Sequence, residues 1–96
     1  MIFKTSRQAN QDIIDLYVSG SVRFGMEQAE RYHAGLMDML SLLADNPAMA
    51  RLRREFRRPV RLHPYKAHLI AYVEDGSNIL VVRVLHGRQD WESLLS

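Results

Sequence analysis

A change of hydrophobic period at Asn46-Pro47 limits what this chain can fold into more than any other feature. Before it, apolar residues recur every three or four positions; after it, they come in short runs cut by turn residues. The first spacing paints one stripe along a helix, and the second suits pleated strands. Helices and sheet therefore occupy separate stretches of sequence. Each must bury its apolar face on the other, which is the logic of an α+β domain.

The helical half divides in two. Over residues 9–18, Ala9, Ile13, Leu16 and Tyr17 share a face, while Gln8, Gln11, Asp12 and Asp15 supply the wet side. Ile14 and Val18 fall off that stripe and are expected at the surface. Upstream, Ile2-Phe3-Lys4-Thr5 predicts a short first strand, with Thr5 or Ser6 as helix cap and Gln8 three residues after Thr5. Gly20 and Gly25 bracket a break. A second pattern then runs through Ala29, Tyr32, His33, Leu36, Leu40 and Leu43 to a stop at Asn46-Pro47. Two helices so closely joined predict an antiparallel hairpin. Met26, Met37, Met39 and Leu42 give the second helix more apolar surface than one contact with a sheet needs. Most of that is core filler by residue type, yet it leaves room for a partner helix.

Beyond Pro47, residues 60–63, 67–73 and 79–85 predict an antiparallel meander, bounded by Pro64-Tyr65-Lys66 and by Glu74-Asp75-Gly76-Ser77-Asn78. The Asp75-Gly76 pair is a hairpin signal. The expected order is strand, helix, helix, strand, strand, strand, followed by a short tail or helix, with one sheet face on the helical hairpin. Strict alternation in the last run puts Leu80, Val82 and Val84 on one face and Ile79, Val81, Arg83 and Leu85 on the other. Arg83 should then lie on the open side, because burying an unpaired guanidinium is costly.

Ninety-six residues point to a single domain spanning 1–96. No apolar stretch has the length of a membrane span, and Met1-Ile2-Phe3-Lys4 lacks the organisation of a signal peptide. With no cysteine in the chain, a cytoplasmic location is the expectation. The net charge of +2 is unevenly spread: residues 1–50 carry four Lys/Arg against six Asp/Glu, and residues 51–96 carry nine against five. The excess sits in Arg51, Arg53, Arg54, Arg57, Arg58 and Arg61, relieved by Glu55. Such a block attracts nucleic acid or an acidic protein segment, or is simply a solvated loop.

Metal and cofactor chemistry are not expected. His33, His63, His68 and His86 fall on different elements, and there is no cysteine ligand, paired-His helix motif, nucleophile elbow or glycine-rich phosphate loop. The one enzymatic possibility is RNA cleavage by Arg61, His63, Arg83, His86 and Arg88, if the sheet gathers them on its open face to hold phosphates and move a proton.

The last apolar run stops abruptly, and the phrase Arg83-Val84-Leu85-His86-Gly87-Arg88-Gln89-Asp90-Trp91 resembles the ParE branch of the RelE/ParE toxins. These are the toxic halves of bacterial type II toxin–antitoxin pairs. The resemblance covers nearly the whole chain, since the element order, Asn46-Pro47 and Glu74-Asp75-Gly76 also fit. It implies a RelE/ParE-like α+β fold and an inhibitor of DNA gyrase, not a catalyst, neutralised by a ParD-like antitoxin, with no membrane association and no direct sequence-specific nucleic-acid binding. Toxicity or target contact would fall to Arg83, His86, Arg88, Gln89, Asp90 and Trp91, with Arg88 facing outward. The competing structural reading makes Arg83, His86 and Asp90 a lock that holds the tail to the sheet, with Trp91 and Leu94 as packing anchors. Antitoxin contact would fall to Ile14, Val18, Met37 and Met39 on the helices and to Arg54, Arg58 and Arg61 in the arginine block. Two alternatives stay open. Similarity to the RelE branch implies a ribosome-dependent messenger RNA endoribonuclease, against which Asp90 and Glu92 place negative charge where RNA phosphates would lie. The other is a basic binding domain without toxic action.

Overall fold

The computed structural model describes residues 2–96. Strand β1 (Phe3–Thr5) leads into helices α1 (Arg7–Phe24) and α2 (Met26–Asp45), then a single 3-10 turn at Pro47–Met49. Strands β2 (Leu52–Arg53), β3 (Val60–Tyr65), β4 (His68–Asp75) and β5 (Asn78–His86) follow, and a short helix α3 (Trp91–Leu95) closes the chain. The expected order is present, with β2 as an additional two-residue strand paired to β3.

Ser6, not Thr5, starts α1. Its Oγ accepts from the Ala9 backbone N–H at 3.0 Å and donates to the Val82 carbonyl at 2.8 Å, capping the helix and tying it to the sheet at once. The helix then runs straight through Gly20, so the break lies at Gly25 alone. Gly20 faces Ala29, where an added methyl would reach only ordinary contact at 3.7 Å, so an alanine would fit there as well. Gly25 has φ +93°, a conformation that strains any L side chain, and one residue suffices to reverse the chain. At Asn46 the backbone N–H takes up the Leu42 and Leu43 carbonyls, and Pro47 opens the 3-10 turn.

The five strands lie in the order β1-β5-β4-β3-β2, with β1 parallel to β5 and the other neighbours antiparallel. Helix residues Leu36, Leu40, Leu43 and Ala44 bury against Ile70, Tyr72, Ile79, Val81 and Val84 of the sheet. Tyr65 joins from β3, and any side chain at Gly35 would collide with its hydroxyl. Tyr72 is fully buried, and its hydroxyl donates to the Pro47 carbonyl at 2.8 Å, pinning the 3-10 turn to the sheet. Among the described residues, no helix is long and apolar enough to cross a membrane.

The alternation expected for the last strand is broken. Tyr72 pairs with Val81 and Ala71 with Arg83, which leaves Val82 as an extra residue, a β-bulge. Ile79 and Val81 therefore share the core with Val84, while Leu80, Val82 and Arg83 line a hollow with Leu94 and Leu95 of α3. A bulge shifts the side-chain phase by one residue, which is why period-two reading places Val84 and Arg83 correctly but exchanges Ile79 and Val81 with Leu80 and Val82.

Candidate functional site

The closing segment consists of two parts with different surroundings. Strand β1 covers β5 only as far as Val81, so the edge beyond would present unpaired backbone groups. Helix α1 takes over there: Ser6 satisfies the Val81 and Val82 carbonyls, and Asp12 accepts from the Val84 N–H at 2.9 Å. The same carboxylate receives Arg83 Nε at 2.8 Å and a second guanidinium nitrogen at 3.1 Å, a bidentate pair. Arg83 and Asp12 are 19% and 15% exposed at their side chains, and these hydrogen bonds push the Arg83 pKa up. Arg83 is thus on the side away from the core, as expected, but it is locked to α1. The lock expected among Arg83, His86 and Asp90 does not form. In sequence Asp12 reads as one more polar residue on the wet face of a helix, and nothing local marks it as the partner of a residue 71 positions away.

After Leu85 the chain forms a tight polar turn. Gly87 N–H donates to the Ala67 carbonyl at 2.8 Å, His86 N–H to Gln89 Oε1 at 2.6 Å, Gln89 N–H to the His86 carbonyl at 3.0 Å, and Arg88 N–H to His86 Nδ1 at 3.0 Å. Gln89 Oε1 and His86 Nδ1 are consumed in holding this backbone. The Arg88 side chain is exposed and makes no ion pair among the described residues. Asp90 turns the other way and caps α3, accepting from the Ser93 hydroxyl at 2.8 Å. Trp91 meets Phe56 at 6.2 Å between ring centroids, with the Arg53 guanidinium 5.8 Å from both rings, so it anchors α3 to the arginine-rich loop. Leu94 is 46% exposed and anchors little.

The arginine block also splits. Arg51, Arg54, Arg57 and Arg58 are exposed, whereas Arg61 donates to the Ala50 carbonyl at 2.6 Å and pairs with Glu74 at 3.2 Å. Arg61 is therefore a brace between the 3-10 turn and the sheet. Met37 and Met39 are likewise partly buried against the core. Ile14 and Val18 are each 54% exposed, and Val22, four residues further on, is 81% exposed. Phe24 and Met26 are exposed as well, and the period-four series through Val22 becomes legible once Gly20 no longer breaks the helix.

The residues proposed for RNA cleavage are not assembled. Arg61 and His63 lie opposite Tyr72 and Ile70, on the helix-covered face, while Arg83 is on the other face and paired. His63 Nδ1 is buried without a hydrogen-bond partner. On the sheet, His68 lies directly across from His86 with ring centroids 5.1 Å apart. Tyr32 brings its hydroxyl to 2.7 Å from His68 Nδ1, and burial, with His86 facing it, pushes the His68 pKa down. Among the described residues, no group of three or more His, Asp or Glu is placed to hold a metal ion.

Comparison with known proteins points one way. The family described as the ParE toxin of the type II toxin–antitoxin system parDE matches residues 3–91. Toxin ParE1 of Caulobacter vibrioides is 29% identical over 84 residues, covering 88% of this chain and 86% of that protein. Toxin ParE1 of Mycobacterium tuberculosis is 36% identical over 69 residues, covering 71% and 70%. In structure, a chain of the chromosomal ParDE toxin–antitoxin system from P. aeruginosa superposes with a TM-score of 0.74 over 90% of this chain and 95% of its own, at 21% identity, which establishes likeness of fold.

Proposed function

This chain belongs to the ParE toxin family of type II toxin–antitoxin systems, and from that premise we propose that it inhibits DNA gyrase and is neutralised by direct binding of a ParD-like antitoxin. The observation that carries the reading is the turn after β5, where four hydrogen bonds fix the backbone while the Arg88 side chain stays exposed. A rigid edge with one free cation loses little conformational entropy when it docks, as a recognition element should. The chain acts by binding and not by bond cleavage, since two of the three arginines that would hold RNA phosphates, Arg61 and Arg83, are committed to ion pairs and lie on opposite faces of the sheet.

The antitoxin meets α1. Ile14, Val18 and Val22 form an exposed stripe at helical spacing that an amphipathic helix covers, and Arg54 and Arg58 offer exposed charge to acidic residues flanking it. The test is a gyrase supercoiling and cleavage-complex assay with the purified chain, with and without a ParD-like antitoxin. Cleaved DNA should accumulate with the toxin alone and disappear when the partner is added. Unaffected gyrase together with messenger RNA cut on ribosomes would overturn the reading in favour of a RelE-type nuclease.

A further inference from the structure

Beside the closing turn, the helical hairpin and the ends of β4 and β5 enclose a groove of about 440 Å³, within the range of small-molecule sites. Its chemistry is one-sided. Arg23 and Phe24 approach from the end of α1, His68 from β4, and His86 and Arg88 from the end of β5, and no Asp or Glu lines it. The carboxylates on the neighbouring helical turns are directed elsewhere: Asp12 to Arg83, Asp15 to Gln11, Glu27 to Arg31 and Glu30 to Tyr17. Neither Arg23 nor Arg88 makes an ion pair among the described residues. The Arg88 backbone N–H donates to His86 Nδ1, so neutral His86 carries its proton on Nε2 and presents a donor. Phe24 is 59% exposed, with the Arg23 guanidinium 5.4 Å from its ring centroid, a surface suited to stacking a flat aromatic ring.

We propose that this groove binds a mononucleotide, with the phosphate taken by Arg23, His86 and Arg88 and the base laid against Phe24. Cationic donors without a competing carboxylate select an anion, and the exposed ring adds contact that inorganic phosphate cannot use. An acidic protein segment is the competing occupant. It is less suited to a concave site the size of one small molecule than to the open stripe on α1.

The test is an NMR titration of the full chain with AMP, with UMP and with inorganic phosphate, and it needs neither gyrase nor antitoxin. The expected result is saturable shifts at Phe24, His68, His86 and Arg88 with both nucleotides, and phosphate weaker by on the order of tenfold. Arg23→Ala and Arg88→Ala, both at exposed side chains, should each weaken AMP by on the order of tenfold with unchanged thermal melting. The proposal is overturned by absence of shifts at millimolar nucleotide, by equal affinity for AMP and phosphate, or by unaltered AMP affinity in both variants. It is overturned equally by a glutamate-rich peptide that binds at these residues when AMP does not.

Discussion

Arg83 and Arg88 stand five positions apart in one continuous phrase of sequence, yet they occupy opposite situations. Arg83 is mostly buried, bidentate to Asp12, and part of how α1 seals the edge of β5. Arg88 extends from a turn whose backbone is fixed and whose side chain has no carboxylate partner among the described residues. One arginine maintains the structure, and the other is displayed by it. A cation does one or the other according to whether the fold brings an acceptor within reach, and for Arg83 that acceptor comes from the other end of the chain.

Removing the acceptor should give the largest effect. Asp12→Ala strands a mostly buried guanidinium and the Val84 N–H together, and it is expected to cost about 2–3 kcal/mol of stability. Denaturant unfolding would read this directly, and melting should fall by roughly 10–20 °C for a domain of this size. If Asp12→Ala melted like the unaltered chain, the division between a locked and a displayed arginine would collapse. Arg88→Ala is the opposite case. Its stability should stay within about 0.5 kcal/mol, while gyrase inhibition drops by roughly tenfold, the worth of one charge-assisted contact. A variant that lost stability and inhibition in parallel would return Arg88 to the structural side.

A smaller effect is expected from the histidine pair beneath the turn. Burial and the facing His86 hold the folded pKa of His68 below its ordinary value of about 6.5. Above that value the histidine is neutral in both states, and its contribution to stability is fully present. As pH falls below it, the unfolded chain takes up a proton before the folded one does, so stability is lost until the lowered folded pKa is passed. Urea midpoints measured between pH 7.5 and 5 should fall with acidification, and His68→Gln should flatten that part of the profile. The slightest change belongs to Asp90→Ala, which uncaps a five-residue exposed helix. Hydrogen exchange should quicken across residues 91–96 while global stability moves by no more than about 0.5 kcal/mol. A loss matching that of Asp12→Ala would restore Asp90 to the lock.

Local features were legible because they depend on neighbours in sequence. The helical stripe through Leu36, Leu40 and Leu43, the hairpin at Asp75-Gly76 and the stop at Asn46-Pro47 each follow from spacing or backbone preference, and all appear where expected. The exposure of Ile14 and Val18 follows from the same periodicity. Gly20 does not mark the break, since glycine tolerates a helix as well as ending one, and only the continuous course of α1 shows which use applies. Met37, Met39 and Arg61 could be partner surface or structural support by residue type alone; their structural contacts, with the core and with Glu74 and Ala50, appear only in the fold.

From sequence alone came the α+β order, the two helices, the meander and the family likeness in the closing phrase, because all of these are written in local pattern. Tertiary structure alone decided the bulge that puts Ile79 and Val81 in the core beside Val84, the engagement of Arg83 by Asp12, the use of Asp90 as a helix cap and the meeting of His68 with His86. The bulge and the long-range pairings depend on which groups the completed fold leaves unsatisfied at a sheet edge or a core boundary, and no spacing rule along the chain encodes that.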